Sequence, residues 1–443
     1  MNKQKKLYIE TYGCQMNFSD SEIVGSIMKE NNYQSTKNSE EADVIFINTC
    51  SIRDNAEQRV RKRLGELNAL KKQKPHLKIG VLGCMAERLK EKLLEEEKSV
   101  DIIVGPDAYR DLPQLMAEAE SGQKAINVIL SADETYADIT PVKIDENKIS
   151  AFISIMRGCQ NFCSYCVVPF TRGKERSRDP ETIIQEAKDL FEKGYREITL
   201  LGQNVNSYSF EGRENYHFPN LLADVAAVNP LLRVRFATSH PKDISDDLIK
   251  TIAAYPNICK AIHLPVQSGS TNMLTKMNRK YTREWYLERI ATIKKHIPEC
   301  AISTDIIAGF CDETEADHAD TLSIMKEVGY DYAFMFKYSE RPDTVAAKKF
   351  KDNISEEIKS KRLTEIINLQ QQLSHESNKA DIGNVFEVLV EGTSKKSKDQ
   401  LSGRNSQNKV VVFPKEDYNV GDYVKVKITD CTTATLIGSS VKR

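Results

Sequence analysis

No stretch of the 443 residues stays apolar for the roughly twenty positions that a bilayer-spanning helix needs, so the sequence offers no membrane span. The basic start, Met1-Asn2-Lys3-Gln4-Lys5-Lys6, has no signal-peptide core behind it; the next apolar stretch has the length of a short strand. Net charge is nearly absent: 63 Lys and Arg against 64 Asp and Glu leave −1. A global field that would gather nucleic acid is therefore excluded, and any such binding has to come from local basic patches. Ten cysteines without a secretion signal argue against a disulfide framework. They point to a reducing cytoplasm, where thiols serve as ligands or core residues. The chain is too long for one core, so about two to four domains are expected.

One further absence organises the chain. Cys159, Cys163 and Cys166 stand at C-x3-C-x2-C spacing with no fourth cysteine close behind them. The apolar run Ile149 to Met156 precedes them and reads as a buried strand ended by a turn at Gly158. A loop this short can offer three soft thiolates to three corners of an iron–sulfur cube and leave one iron open for a substrate. A zinc loop is the alternative, although zinc sites usually pair C-x2-C units and need a fourth ligand close by.

The N-terminal third alternates. Strands at Leu7 to Thr11, Val44 to Asn48, Ile79 to Leu82 and Asp101 to Val104 are separated by helical stretches, one of them spanning 51–72. This β-α-β-α-β-α-β order predicts a doubly wound parallel sheet, whose ligands gather outside the strands' carboxyl ends. Cys14, Cys50 and Cys84 each follow a strand at that end. Each alone reads as a buried small residue, since free cysteine is commonly buried; their shared position suggests a second three-cysteine cluster. Helix 51–72 carries Arg59, Arg61, Lys62, Arg63, Lys71 and Lys72, read either as a solvated face or as a phosphate-contacting one. Residues 131–147 lack periodicity and read as a linker.

After Cys166 the alternation resumes, and counting the strand before Cys159 gives six βα units. Six fall short of a closed barrel of eight, so a partial barrel with an open side is expected. Its polar residues Gln203, Asn204, Ser239, Gln267 and Asp305 lie at or near carboxyl ends of strands, where barrel enzymes keep their chemistry. His240 and His263 read as hydrogen-bonded structural histidines. Cys259, Cys300, Cys311 and Cys431 lack companions at ligand spacing and read as core. Past a helix from Ile354 to about Glu376, short strands at Val385–Val390, Val410–Phe413 and Tyr423–Ile428 suggest a small OB-like β-barrel.

These motifs carry a resemblance. The C-x3-C-x2-C loop, with Tyr165 before its third cysteine, resembles the radical S-adenosylmethionine (SAM) superfamily. Thr11-Tyr12-Gly13-Cys14-Gln15-Met16-Asn17, Asn48-Thr49-Cys50-Ser51-Ile52-Arg53 and Gly83-Cys84-Met85-Ala86 resemble the three cysteine motifs of the methylthiotransferase family. Gly202-Gln203-Asn204-Val205-Asn206, Thr238-Ser239-His240-Pro241 and Leu264-Pro265-Val266-Gln267-Ser268-Gly269-Ser270 extend the likeness through the centre. Glu391-Gly392-Thr393-Ser394 and Leu401-Ser402-Gly403-Arg404 are similar to the TRAM domain, an RNA-binding module.

The resemblance implies a methylthiotransferase N-terminal domain over 1–130, a radical SAM core over 145–375 and a TRAM domain over 378–443. It implies two 4Fe-4S clusters, on Cys14, Cys50 and Cys84 and on Cys159, Cys163 and Cys166, together with SAM. Tyr165, Gln203, Ser239, Gln267 and Asp305 would contact SAM, and no catalytic residue is expected beyond the clusters. Lys395, Lys396 and Arg404 would contact RNA, with a merely solvated hairpin as the alternative. The implied activity adds a methylthio group to carbon 2 of the isopentenylated adenosine 3′ of the anticodon in tRNA. Its partners would be the anticodon stem-loop and an electron donor, and the enzyme is expected to be a cytoplasmic monomer. The rivals are a relative acting on threonylcarbamoyl-adenosine in tRNA and a non-catalytic iron–sulfur RNA-binding protein. Two departures stand out. Asp312, in Gly309-Phe310-Cys311-Asp312-Glu313-Thr314, and Asp343, in Arg341-Pro342-Asp343-Thr344, stand where the family has glycine. Asp tolerates some turn conformations that Gly favours, so loop shape is what these positions put in question.

Overall fold

The computed structural model describes residues 4–50, 54–143 and 148–441. Ser51, Ile52 and Arg53 of the second cysteine motif lie outside the described residues, as do the first residues of the expected central domain, 145–147.

The first sheet is built from β1 (Lys5–Thr11), β2 (Tyr33–Ser35), β3 (Val44–Thr49), β4 (Lys78–Gly83), β5 (Ile102–Val104) and β6 (Ala125–Asn127). All its pairings are parallel, in the order β2-β1-β3-β4-β5-β6. The doubly wound sheet is thus six strands wide. The expectation of four omitted β2 and β6, three-residue edge strands too short to show a period. Central β3 is buried at every position, as a parallel strand covered on both faces should be. Helices Gln15–Glu30 and Leu112–Glu120 cover one face, and Asp54–Gln73 covers the other. The helix expected through Glu97 is broken into Cys84–Leu89 and Glu91–Glu96 at Lys90, whose φ is +50°.

The stretch read as a linker is instead tied down. Tyr136 is buried, stacks on Tyr109 at 5.7 Å between centroids, and donates a hydrogen bond to the Pro106 carbonyl.

The centre contains β7 (Ser150–Ser154), β8 (Met156–Arg157), β9 (Arg176–Ser177), β10 (Glu197–Leu201), β11 (Arg233–Ala237), β12 (Ala261–His263), β13 (Ala301–Ala308) and β14 (Tyr332–Lys337). β11-β10-β7 and β12-β13-β14 form two parallel three-stranded sheets, joined by a Val234–Ile258 bridge. Together they make the partial six-stranded barrel. Its outer faces pack on helices such as Pro180–Glu192, whose N-cap Asp179 accepts from the Glu181 N–H and whose first residue is proline.

The C-terminal strands β15 (Val385–Ser394), β16 (Ser397–Arg404), β17 (Val410–Pro414), β18 (Tyr423–Cys431) and β19 (Leu436–Ser440) form a closed barrel, β15-β16-β17-β19-β18. It docks against the amino ends of the central strands. Arg233 donates to the Arg404 and Glu387 carbonyls, and its guanidinium lies 5.1 Å from the Tyr423 ring centroid. Arg235, paired with Glu197 at 2.8 Å, donates to the Asn405 carbonyl. Arg233 is nearly buried between two backbone carbonyls and the Tyr423 ring, so Arg233→Ala should remove charge-assisted bonds and a cation–π contact. We expect a loss of about 2–3 kcal/mol and faster proteolytic release of the C-terminal barrel, read by urea unfolding and limited trypsin digestion.

Candidate active site: two three-thiol centres

Cys14, Cys50 and Cys84 follow β1, β3 and β4, which are neighbours in the sheet. Neighbouring strands lie about 4.8 Å apart, so their carboxyl ends hold the three cysteines side by side. The site is at the topological switch point, where the chain leaves β1 toward β2 on one side and later returns to β3 on the other. Gly13 sits at φ +136°, and a Cβ there would come within 2.5 Å of the Cys50 Cβ, so only glycine lets the two loops meet. Asn17 donates to Asn48 Oδ1 and to the Thr49 carbonyl, and Asn48 donates back to the Asn17 carbonyl and to Ser21. This buried lattice fixes the Cys14 and Cys50 loops against each other.

A residue of the central domain completes the site. Arg172, almost wholly buried, donates from Nε to Cys84 Sγ at 3.2 Å and from Nη2 to Asp20 at 2.7 Å. The neighbouring Cys50 thiol, with help from the Arg172 charge, holds the Cys14 thiol well below its ordinary range. Burial pushes Cys84 up despite Arg172.

The second centre follows β8. Gly158, at φ +81°, would put a Cβ 1.8 Å from the Lys174 carbonyl oxygen, so this turn admits no side chain. The loop carrying Cys159, Cys163 and Cys166 is then held from several sides. Cys159 N–H bonds the Gly173 carbonyl, Ser164 N–H bonds the Met277 carbonyl, Ala346 N–H bonds the Ser164 carbonyl, and Asn278 donates to the Phe162 carbonyl. Phe162 itself adopts φ +48° within the loop. Arg279 donates to Cys163 Sγ at 3.2 Å, and His240 Nε2 lies 3.9 Å from the same sulfur. Burial drops His240 to about 2, so its ring is neutral and serves as a packed, hydrogen-bonded residue. Burial pushes Cys159 up to about 11 and Cys166 up to about 12; a metal bound here has to displace their protons.

Each donor set consists of three thiols, soft ligands of the kind an iron–sulfur cube takes one per iron. Among the described residues no three His, Cys, Asp or Glu side chains converge on one metal ion. A cube asks for less convergence, because each thiolate takes a different iron.

The SAM-contact candidates gather at the same end of the barrel. Gln203 follows β10, with its Oε1 buried and unpartnered; Asn206 Nδ2, three residues on, is buried and unpartnered as well. Ser239 is buried and donates to Asn206 Oδ1. Gln267, at φ +72°, bridges to Ile306 and so lies beside Asp305 on β13. Asp305 is half-buried, 3.4 Å from His263 Nε2. Two orphaned polar atoms beside a thiol loop suit a polar ligand such as SAM. Tyr165 packs against Met273, Met277, Phe310 and Tyr338 and receives a weak bond from Arg279 at 3.4 Å.

The RNA candidates are not one patch. Lys395 and Lys396 are exposed at the β15–β16 hairpin tip. Arg404 ends β16, about 23 Å from that tip at strand rise, and is turned toward Glu391 and the Asn408 carbonyl. On helix Asp54–Gln73, Arg61, Arg63 and Lys71 are engaged by Glu57, Glu96, Glu97, Glu10, Glu66 and Asp101, which favours the solvated reading of that face. Cys259, Cys300 and Cys311 are buried, and Cys431 packs at the edge of the C-terminal core. Asp312 and Asp343 adopt φ +60° and +68°, the left-handed conformation that glycine takes most easily, so the loops keep their shape. Asp312 is held there by Lys276 and Asn353.

Sequence reasoning missed Asp20, Asp107, Arg157, Arg172, Arg176 and Arg279. Arg157 pairs with Asp20 at 2.8 Å, and Arg176 with Asp107 at 3.0 Å. Their only trace in the sequence is the run of arginines 172, 176 and 178 directly after the cysteine loop.

Known proteins are similar to this chain along its whole length. Residues 6–105 match the family described as "Uncharacterized protein family UPF0004", 153–325 the radical SAM superfamily and 379–441 the TRAM domain. A protein of Parabacteroides distasonis named tRNA-2-methylthio-N(6)-dimethylallyladenosine synthase is 60% identical over 440 residues, covering 99% of this chain and 96% of its own. Proteins of the same name from Bacteroides fragilis and Amoebophilus asiaticus are 59% and 58% identical, covering 99% of this chain and 96% and 93% of their own lengths. Among solved structures, the radical SAM methyltransferase TsrM of Kitasatospora setae aligns with a TM-score of 0.56 at 12% identity, over 78% of this chain and 74% of its own. The cobalamin-dependent radical SAM enzyme OxsB aligns with a TM-score of 0.55, over 83% and 56%. At such identity these two show the fold alone.

Proposed function

The chain belongs to the tRNA-2-methylthio-N(6)-dimethylallyladenosine synthase family, and from that premise we propose how its two thiol centres divide the work. The protein is a radical SAM tRNA methylthiotransferase, and it adds the methylthio group to carbon 2 of the isopentenylated adenosine 3′ of the anticodon. Cys159, Cys163 and Cys166 hold the 4Fe-4S cluster that binds SAM. Cys14, Cys50 and Cys84 hold a second cluster. When bound, these groups supply the one-electron chemistry and the sulfur that an unactivated aromatic C–H bond requires. The observation that carries this reading is the direct link between the centres: helix Val168–Arg172 starts two residues after Cys166 and ends on the arginine that touches Cys84.

The chain's own groups position and exclude. Arg279 donates to Cys163 Sγ and fixes that ligand's direction. Gln203 Oε1 and Asn206 Nδ2 offer an acceptor and a donor to the polar parts of SAM, with Ser239, Gln267 and Asp305 completing that wall. Tyr165 and its apolar neighbours keep water from the adenine side. Lys395 and Lys396 meet the tRNA backbone through the TRAM domain. No helix among the described residues is long and apolar enough to cross a membrane. An external electron donor, a monomeric state and a cytoplasmic location complete the proposal.

The substrate assignment is tested by expressing the chain in a strain lacking its own enzymes of this type and analysing tRNA nucleosides by mass spectrometry. The methylthio group should appear on isopentenyladenosine and be absent from threonylcarbamoyl-adenosine. The reverse pattern transfers the protein to the rival specificity.

A further inference from the structure

Beside the Cys159–Cys166 loop lies a surface that neither the thiols nor the SAM-contact candidates use. Phe162, bonded directly to Cys163, is 47% exposed, and Phe170 is 40% exposed. Their rings meet edge to face at 6.3 Å between centroids. Phe162 holds φ +48°, a left-handed conformation that a bulky residue adopts only under constraint. The constraint is visible: Asn278 donates to the Phe162 carbonyl, and Ser164 N–H is tied to the Met277 carbonyl. The loop thus turns Cys163 Sγ inward, to Arg279 and His240, and leaves the neighbouring phenyl ring outside. Strain that keeps an aromatic pair in solvent points to something that binds it.

The rim of this pair is cationic. Lys348 lies 5.9 Å from the Phe170 ring centroid. Lys349 follows it on helix Val345–Lys349, which is anchored to the loop by the Ala346 N–H on the Ser164 carbonyl. Lys280 stands two residues past Asn278, and Lys174 adjoins the Gly173 carbonyl that receives Cys159 N–H. All four lysines are exposed, and none of them is in an ion pair among the described residues. Nearby acids are engaged or turned to another end: Glu175 accepts from Gln160 N–H, Asp312 pairs with Lys276, and Asp343 precedes helix Val345–Lys349 at its opposite end. The features fit a protein better than RNA. Bases stack on open aromatic faces, whereas Phe170 already has Lys348 over its ring and Phe162 against it.

We propose that Phe162 and Phe170, rimmed by Lys174, Lys280, Lys348 and Lys349, form the docking surface for an acidic one-electron carrier protein that reduces the cluster of Cys159, Cys163 and Cys166. This rests on the reading of that loop as a cluster site. Electron transfer weakens steeply with distance, so the carrier has to sit on the surface nearest the cube. The inner side, toward Gln203, Ser239 and Gln267, is reserved for SAM in that reading. Phe162 is one peptide bond from a ligand and faces solvent, which makes it the shortest way in from outside. One electron leaves the carrier and one enters the cube; no bond forms or breaks and no proton moves in that step. Electron-transfer encounters bury less than about 1,200 Å² in all, so a small apolar centre within a charged rim is the expected form.

The test uses the full-length holoprotein and, as probe, an acidic plant-type 2Fe-2S ferredoxin. Wild type is compared with Lys280→Asp/Lys348→Glu/Lys349→Glu and with Phe162→Asn/Phe170→Ser. Asp and Asn replace Lys280 and Phe162 because they tolerate the left-handed backbone of those two positions. Ferredoxin binding by thermophoresis, tRNA binding, iron content and 5′-deoxyadenosine formation are measured anaerobically, the last with reduced ferredoxin and with dithionite, a small reductant that requires no docking. Both variants should bind and use ferredoxin at least about tenfold more weakly, the lower end of what charge steering contributes. Iron content and the dithionite-driven rate should stay at the wild-type level. Ferredoxin affinity should fall as salt rises, less steeply in the lysine variant. Unchanged ferredoxin affinity in either iron-replete variant overturns the proposal, and so does a wild-type protein that ferredoxin neither binds nor reduces. Weaker tRNA binding with ferredoxin affinity unchanged assigns the surface to RNA and overturns it too. If one variant loses iron, the other decides; loss of iron from both assigns these residues to the structure of the loop and overturns the docking role. A wild-type protein without iron, or without dithionite-driven SAM cleavage, removes the cluster reading, a different failure recognisable before any residue is changed.

Discussion

Replacing Cys14, Cys50 and Cys84 together by alanine should remove about half of the iron and sulfide, four of about eight irons at four per cube. Methylthiolated tRNA should fall by at least about 10³-fold, the scale on which losing a reacting group is felt. Reductant-dependent SAM cleavage should continue. The separation follows from how each centre is held. The Cys159–Cys166 loop is fixed by hydrogen bonds to Gly173, Met277, Asn278 and Ala346, all in the central domain, and by Arg279. None of those supports involves an N-terminal thiol. Arg172 loses Cys84 in this variant but keeps Asp20, so the domain junction retains its principal ion pair. Iron, sulfide and 5′-deoxyadenosine are assayed anaerobically on both proteins. If all the iron and SAM cleavage disappear together, the centres form one cooperative unit and the division of roles is wrong.

What the sequence disclosed follows from where its signals are local. A thiol after a run of apolar residues reads as a strand end, and the structure places Cys14, Cys50 and Cys84 just past β1, β3 and β4 and the Cys159 loop just past β8. Asp312 and Asp343 were legible too, because turn chemistry is a property of one residue and its φ. The edge strands were not: Tyr33–Ser35 and Ala125–Asn127 are three residues long and partly exposed, and they exist because β1 and β5 offer free edges. β16, Ser-Lys-Asp-Gln-Leu-Ser-Gly-Arg, reads as polar loop and is recruited by pairing on both sides, with β15 and β17. The arginines that finish the site are hidden for another reason. Arg172 meets Asp20 across 152 residues and Arg157 meets it across 137, and a lone charged residue carries no mark of so distant a partner. Tyr136, in a stretch without periodicity, likewise shows its role only when Tyr109 and Arg157 lie against its ring.

Asp20→Asn should therefore be the most damaging single change outside the cysteines. Its carboxylate is fully buried and holds Arg157 at 2.8 Å and Arg172 at 2.7 Å, with the Tyr109 hydroxyl donating at 3.4 Å. Asparagine keeps the shape but leaves two buried guanidinium groups short of charge. Arg157 retains Asp107 at 3.5 Å, while Arg172 retains no carboxylate within ion-pair distance among the described residues. Breaking a buried ion pair from one side costs about 3–5 kcal/mol, and urea unfolding of the anaerobic holoprotein should show a loss of that size. The pH behaviour separates charge loss from mere repacking. Burial by itself would raise the Asp20 carboxyl, but Arg157 and Arg172 outweigh it and hold it below its ordinary range. A carboxyl depressed in the folded state contributes fully above its unfolded value of about 3.9, and that contribution fades only as pH falls through the lower folded value. The stability difference between wild type and Asp20→Asn should thus stay constant from pH 8 to pH 5. A difference that shrinks over that interval means that the folded carboxyl takes up a proton there and that the two arginines do not govern it. With Arg172 no longer paired to the carboxylate that holds it beside Cys84, tRNA methylthiolation should fall about 10–100-fold while SAM cleavage stays near wild type, as expected for a residue that orients the partner of a proposed cluster ligand and touches no ligand itself.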